Sequence, residues 1–330
     1  MSKSISRRNF LLSGTVVAGS LAVGGHKVLA ATEGGTPVYF TKDISSVGLI
    51  KAYDSVIQGR KLSGKIAVKL HSGEPGGHNY PDPNLIKGLV QAVDGTIVEC
   101  NTAYPGKRFK TEDHMKAIRD HGFASIAPVD VMDENGSISL PFPDGKNIKE
   151  NFVGANFANY DSFLILSHFK GHAMGGFGGA IKNTSIGIAS SEGKMWIHTA
   201  GIIKDTADFS ACFKVKQDLF LESMAEAAGS VINRLGAGNI VYVSLANNLS
   251  VDCDCDNSPA APEMEDIGIL ASTDPVALDK ACVDLVYAAD PAKNASLRER
   301  IESRHGTHTL DYAETIGIGS KAYTLMNIDV

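Results

Sequence analysis

The 330-residue chain has no excess of basic residues. Its 31 lysines and arginines face 37 aspartates and glutamates, a net charge of −6, and no basic stripe is interleaved with aromatics. That balance argues against a nucleic-acid partner. It also lacks any run of the eighteen or so apolar residues that a stable membrane span needs. The five cysteines, Cys100, Cys212, Cys253, Cys255 and Cys282, are odd in number and irregular in spacing, which is not the pattern of a disulfide framework. Cys100 and Cys282 lie in apolar runs and read as buried, inert thiols; Cys212 carries no clear signal. No internal repeat or low-complexity segment stands out.

What is present starts with an address. Ser6-Arg7-Arg8-Asn9-Phe10-Leu11-Leu12 is a twin-arginine pattern, followed by a modestly apolar run from Thr15 to Gly25, then Lys27 and a small-residue cleavage site at Val28-Leu29-Ala30. A single anchoring helix is the alternative, but the run is short and interrupted by glycine. The expectation is a signal over residues 1–30, export through the twin-arginine machinery and a periplasmic or extracytoplasmic location for residues 31–330. That route resembles one taken by proteins that fold around a cofactor before crossing, so a cofactor is implied.

The remaining 300 or so residues alternate strand-like and helical runs. KIAVKL (65–70), TIVEC (96–100), DSFLILS (161–167), NIVYVSL (239–245) and DIGILAS (266–272) read as strands. Residues 84–93, 111–121, 219–235 and 274–289 have helical spacing, the last entered through Asp274-Pro275. The pattern predicts an α/β fold, a mostly parallel sheet with flanking helices, as one large domain or two closely associated lobes.

Four loops that follow strands carry polar groups with little reason to be in a core. Residues 71–84 hold His71, Glu74 and His78; residues 101–117 hold Asn101, Tyr104, Arg108 and His114; the third and fourth loops follow DSFLILS and NIVYVSL. Any one of these side chains is ordinarily a structural or solvated residue. In a parallel sheet, however, all four loops would converge on one edge, where such folds place ligands.

The third loop, Ser167 to Gly187, packs two histidines, two lysines and six glycines into SHFKGHAMGGFGGAIKNTSIG. Gly175-Gly176-Phe177-Gly178-Gly179 reads as neither helix nor strand. Its amides offer an anion-binding nest, with Gly176, Gly178 and Gly179 as cofactor-binding positions. Lys182 stands where it would meet a phosphate or carboxylate, or act as an amine nucleophile. His172 and His198 suit acid–base work or metal ligation. The alternative is a glycine-rich turn that only lets a helix pack on the sheet. In the fourth loop, Asp252-Cys253-Asp254-Cys255-Asp256 offers thiolates for a metal such as Zn, Ni or Fe. The segment reads as a loop in which both thiols would have to turn to one metal; a Cys253–Cys255 disulfide or plain thiols are the alternatives.

KLHSGEPG, the LSHFKGH…GFGGAIKN run, the CDC element and DIGILASTDPVALDKA together resemble the family catalogued as domain of unknown function 362, over essentially the whole mature chain. Many relatives carry a ferredoxin-type insert before the helix that begins here near Leu219. This chain has only Cys212 in that interval, so a two-cluster ferredoxin centre is not expected. A more distant resemblance is to nickel-pincer nucleotide-dependent lactate racemases. There a histidine ten residues before a lysine takes part in acid–base chemistry, the lysine holds the cofactor covalently, and a histidine sixteen residues after it binds nickel. His172, Lys182 and His198 keep both spacings. The resemblance thus implies acid–base, cofactor-anchoring and metal-binding roles in that order. It departs where Ser185-Ile186-Gly187 replaces the proline-glycine after the lysine, and where the second loop offers Asn101-Thr102 in place of a further histidine.

Two functions follow. One is an exported enzyme acting on a small anionic organic molecule, racemase-like or oxidoreductase-like, with a metal or covalently held organometallic cofactor. In it His172, Lys182, His71 and Glu74 are catalytic, Arg108 grips an anion by a two-point contact, and His198 binds metal. The other is a non-catalytic relay in which Cys253 and Cys255 hold a metal or iron–sulfur centre that serves a redox partner.

Overall fold

In the computed structural model the described residues are 34–329, together with Ala22–Val23 and His26–Lys27, which pair as a short antiparallel ladder. The twin-arginine motif and the cleavage site lie outside them.

The chain opens with β1 (Thr36–Thr41) and α1 (Ser46–Ile57), whose start is fixed by the Ser45 hydroxyl accepting the Gly48 amide at 3.2 Å. β2 (Ile66–Lys69) leads to α2 (Pro83–Ala92), begun by Asp82-Pro83: the carboxylate accepts the Asn84 amide, and the proline occupies a position that needs no donor. β3 (Thr96–Glu99), α3 (Thr111–Asp120) and β4 (Val129–Val131) follow. A hairpin of β5 (Ser137–Pro141) and β6 (Glu150–Gly154) precedes β7 (Ser162–His168). Then come β8 (Lys170–His172), β9 (Gly176–Gly178), the short α4 (Ala180–Thr184) and α5 (Ser191–His198). The long α6 (Gln217–Leu235), β10 (Ile240–Ala246), β11 (Gly268–Ser272), α7 (Pro275–Ala288), α8 (Ala295–Ser303), α9 (His308–Thr315) and β12 (Tyr323–Asn327) complete it.

Eight strands form one sheet in the order β12-β1-β11-β10-β7-β2-β3-β4. Every strand but β11 runs the same way. The sheet is covered on both faces, as parallel sheets must be. Along β7, Phe163 and Ile165 enter the core under α6 and α7, whereas Leu164 and Leu166 enter the core under α1 and α2. The mostly parallel α/β reading therefore holds. β11 is reversed because residues 247–267 contain no crossover helix; the chain turns at the rim and pairs back on β10.

The central strands β2, β3, β7 and β10 end on one rim, at Lys69, Glu99, His168 and Ala246. The four chemistry-bearing loops all leave from that edge.

Candidate active site

Those loops enclose a cavity of about 300 Å³, lined by His71, Arg108, His172, Lys182, His198, Cys253 and Cys255 among others. Gly178 and Gly179 also line it. Its mouth is apolar, with Phe209 and Phe213 on the lip and Phe213 69% exposed. The proposed convergence is thus present, though several residues stand in different roles from those expected.

The glycine run is strand after all. β8 and β9 pair antiparallel, with Lys170 opposite Gly178 and His172 opposite Gly176. The nest is also spent internally. The Met174 and Gly175 amides donate to His172 Nδ1 at 3.2 and 2.9 Å. The Ala180 and Ile181 amides donate to the Asp279 carboxylate of α7 at 2.6 and 2.9 Å. Gly176, expected at the cofactor, packs elsewhere. Its φ is +79°, and an added Cβ would sit 2.9 Å from the Gly306 Cα, so this glycine serves close packing. Gly179 needs its hydrogen for another reason: a Cβ there would strike the Asp279 carboxylate.

Glu74 and Arg108 hold each other. Arg108 Nε donates to Glu74 Oε2 at 2.8 Å, and Nη2 donates to the Tyr104 hydroxyl at 3.0 Å. Nε and Nη2 of Arg108 are thus engaged by protein partners although the residue lines the cavity, and Glu74 lines an adjoining outer pocket rather than the inner cavity. His71 does reach the cavity. Its Nδ1 accepts the Gly73 amide at 3.0 Å, and burial, aided by Arg108, pushes its pKa down to about 3, so the ring is neutral.

Lys69 and Glu99, from the ends of β2 and β3, form a buried pair at 3.0 Å. Ser72 adds two donors to the same carboxylate, its amide at 2.7 Å and its hydroxyl at 2.9 Å. Burial opposes ionisation of Glu99, but Lys69 and neighbouring His71, His114 and Arg108 outweigh it and hold the carboxyl well below its usual range. Asp254 is the second such anchor. It accepts from His168 Nδ1 and Lys170 Nζ, each at 2.9 Å, while His168 Nε2 meets the Asn247 carbonyl at 2.6 Å. Burial raises the Asp254 carboxyl, and His168 and Lys170 beside it more than reverse that effect. Sequence reasoning gave no role to Lys69, Glu99, His168, Lys170, Asp254 or Lys194; for the first three, a charged or polar residue at the last position of a buried strand was the available signal.

Pinned by Asp254, the cysteine segment forms a turn in which the Asp256 amide donates to the Cys253 carbonyl at 2.9 Å. Gly171 lets this turn approach, since a Cβ there would collide with the Val251 carbonyl. The turn puts both sulfurs on one side, where Cys253 Sγ, Cys255 Sγ and a His172 ring nitrogen lie within 4.8 Å of one another. Cys255 donates to Cys253, which sits well below the ordinary thiol range, while Cys255 is raised well above it. The pair shares one proton, with the thiolate on Cys253.

Three donors of this kind match a catalytic thiophilic metal site in number, but a bare cation does not fit here. A metal-bound imidazole normally donates its other N–H outward. His172 Nδ1 instead accepts two amides, which leaves the proton on Nε2, the nitrogen that faces Cys255 Sγ at 4.0 Å. Lys170, Lys182 and Arg108 also bring positive charge to the sulfurs. His198, the expected metal ligand, is not in this donor group.

His198 and Lys194 lie one turn apart on α5, which Ser190 starts by accepting the Gly193 amide at 3.1 Å. His198 Nδ1 donates to the Lys194 carbonyl at 2.6 Å, and the ring stacks on Phe220 at 4.8 Å. Its Nε2 is then the ring's acceptor. Burial pushes its pKa down to about 3 despite the carbonyl contact. His172 is also lowered, first by burial and then by Lys182. In one cavity His172 and His198 are therefore neutral imidazoles in opposite tautomers, one offering an N–H and the other a lone pair. Lys194 Nζ donates only to the Ala189 carbonyl at 2.5 Å, and no described residue hydrogen-bonds Lys182 Nζ.

The chain belongs to the family described as Domain of unknown function (DUF362), which matches residues 66–284. No curated protein matches it. Among solved structures, a lactate racemase apoprotein from Thermoanaerobacterium thermosaccharolyticum is similar at 11% identity and a TM-score of 0.45, covering 77% of this chain and 57% of its own. A protein from Thermotoga maritima is similar at 12% identity and a TM-score of 0.39, covering 74% and 59%. The chain spans less than two thirds of the length of either.

Proposed function

We propose that the protein is an exported enzyme that binds a small anionic organic molecule in the rim cavity and moves a proton or hydride at a carbon bearing a hydroxyl. The observation that carries this reading is the pairing of Lys182 and Lys194, amines with no salt bridge among the described residues, with His172 and His198 in opposite tautomers. The two lysines supply the charge that holds a carboxylate or phosphate. His198 Nε2 takes a proton while His172 Nε2–H hydrogen-bonds the substrate oxygen on which charge develops, as proton or hydride transfer beside a carboxylate requires. Tyr104 and the Phe209–Phe213 lip cover the cavity and limit water.

Lys182 also suits a covalently held organic cofactor, because its amine faces the cavity without a protein hydrogen bond. Such a group would supply an electron or hydride sink; binding and proton handling remain with the lysines and imidazoles. Export rests on Ser6–Leu12, and replacing Arg7 and Arg8 by lysine should leave the protein in the cytoplasmic fraction.

Calorimetry with oxalate, a compact dianion, tests the cavity, and deuterium uptake from heavy water into a panel of small 2-hydroxy acids tests the chemistry. Oxalate binding that Lys182→Met abolishes, with exchange that His198→Ala abolishes, is the expected result. A chain that binds no small dianion sinks the proposal. Intact mass and metal content of protein from its exporting host then show whether Lys182 carries an adduct.

A further inference from the structure

Cys253 and Cys255 occupy an unusual position: they line both the inner cavity and the outer pocket of about 380 Å³ that opens beside Glu74, Lys107 and Asn257. The sulfurs, with Ala173 and Tyr104, form the partition between the two spaces. The turn that brings the sulfurs to one side is rigid, because Asp254 between them is clamped by His168 and Lys170. The His172 ring stands against the pair, and its Nε2 proton, fixed by the two amides on Nδ1, leaves a metal ion without its third ligand.

We propose that Cys253 and Cys255 are a thiol–disulfide couple that exchanges with a low-molecular-weight disulfide arriving through the outer pocket. The Cys253 thiolate attacks one sulfur of the incoming disulfide. A Cys253 Sγ–S–R bond forms, the incoming S–S bond breaks, and the first thiolate leaves, taking the Cys255 proton. The Cys255 thiolate then attacks Cys253 Sγ, and the second thiolate leaves to be protonated by solvent. The two protein thiols are oxidised to one disulfide, and the incoming disulfide is reduced to two thiols. The Lys170 ammonium, held by Asp254 between the two cysteines, favours a thiolate in this turn and on Cys253 in particular. This exchange does not depend on what the inner cavity binds, because the second pocket reaches the sulfurs separately.

Treatment of the reduced protein with bis(2-hydroxyethyl) disulfide, followed by intact mass and peptide mapping, tests it. The expected product lacks two hydrogens, is reversed by dithiothreitol, and maps to Cys253–Cys255 while Cys100, Cys212 and Cys282 stay reduced. Cys255→Ser should stop at a single hydroxyethyl adduct on Cys253, and Cys253→Ser should react at least ~tenfold more slowly. Two unreacted thiols under excess probe would overturn the proposal, as would separate adducts on both sulfurs of the unsubstituted chain. So would one tightly held metal ion in host-purified protein that disappears in the double serine variant. The wild-type mass needs no variant to fold. Oxalate binding measured on the same sample separates this failure from failure of the enzyme reading.

Discussion

The two flanks of the cavity handle charge in opposite ways. On the β2–β3 flank each charge has a protein partner: Lys69 faces Glu99, and Arg108 faces Glu74. On the α4–α5 flank neither Lys182 nor Lys194 is salt-bridged among the described residues; burial lowers the Lys194 pKa, and Asp133 and Glu99 act on it only from a distance. The first flank is built to hold shape, and its charges are worth most as a network that must not be broken. The second keeps charge in reserve, which is tolerable only where solvent or a ligand reaches it. A site of this kind separates stability from binding, and that separation can be tested residue by residue.

The largest effect belongs to the closed flank. Glu99→Gln leaves a buried ammonium without its counter-charge and should cost about 3–5 kcal/mol in urea unfolding, while Lys69→Met combined with Glu99→Gln should recover part of it. A loss under 1 kcal/mol would erase the contrast.

Acid acts on both flanks. His71, His114 and His198 each have a pKa pushed down to about 3 from an ordinary 6.5, mainly by burial. Between those values the unfolded chain takes up protons that the folded chain refuses. The stability from neutral rings is therefore full above pH 6.5 and is lost as pH falls toward 3. Asp279, raised by burial to about 7, opposes them between 3.8 and 7, since its folded carboxyl keeps a proton the unfolded one has released. The rings outnumber that carboxyl, so stability should fall with pH across this window, on the order of 1–3 kcal/mol per unit. Urea midpoints compared at pH 6 and pH 4.5 should show it, and a flat response would mean the rings are solvated.

Gly176→Ala sharpens the comparison from outside the cavity. Its positive φ and its contact with Gly306 predict a loss of about 1–3 kcal/mol with oxalate affinity unchanged. Lys182→Met should do the reverse. Oxalate binding weakens by at least tenfold, about 1.4 kcal/mol, and the unfolding midpoint stays within about 0.5 kcal/mol. If Lys182→Met destabilised the chain as Glu99→Gln does, the reserve of charge would be structural.

The architecture was legible because strand cores such as SFLIL and VYVSL are apolar on both faces, a pattern that periodicity reads directly. From that came the rim, and from the rim the four loops. Pairing partners were not legible. Glu74 and Arg108 looked like two ligand-seeking groups because their 34-residue separation hides a 2.8 Å contact. Lys69 looked like a strand end, and its partner Glu99 sits on the next strand, a neighbour only once register is known. The glycines misled differently. Gly175 and Gly176 free the backbone for a hairpin and for Gly306, a packing demand set by residues 130 positions away. The reversal of β11 left no local trace, because residues 247–267 have neither helical nor strand periodicity.

That reversal has a further consequence. Since Ala246 faces Gly268 across neighbouring strands, the ends of the cysteine-bearing segment are held one strand spacing apart before the segment itself is ordered. Extra length there would cost little closure entropy, about 0.6 kcal/mol for each doubling. The rim can therefore exchange its reactive turn for another of different length and leave the register of the sheet as it is.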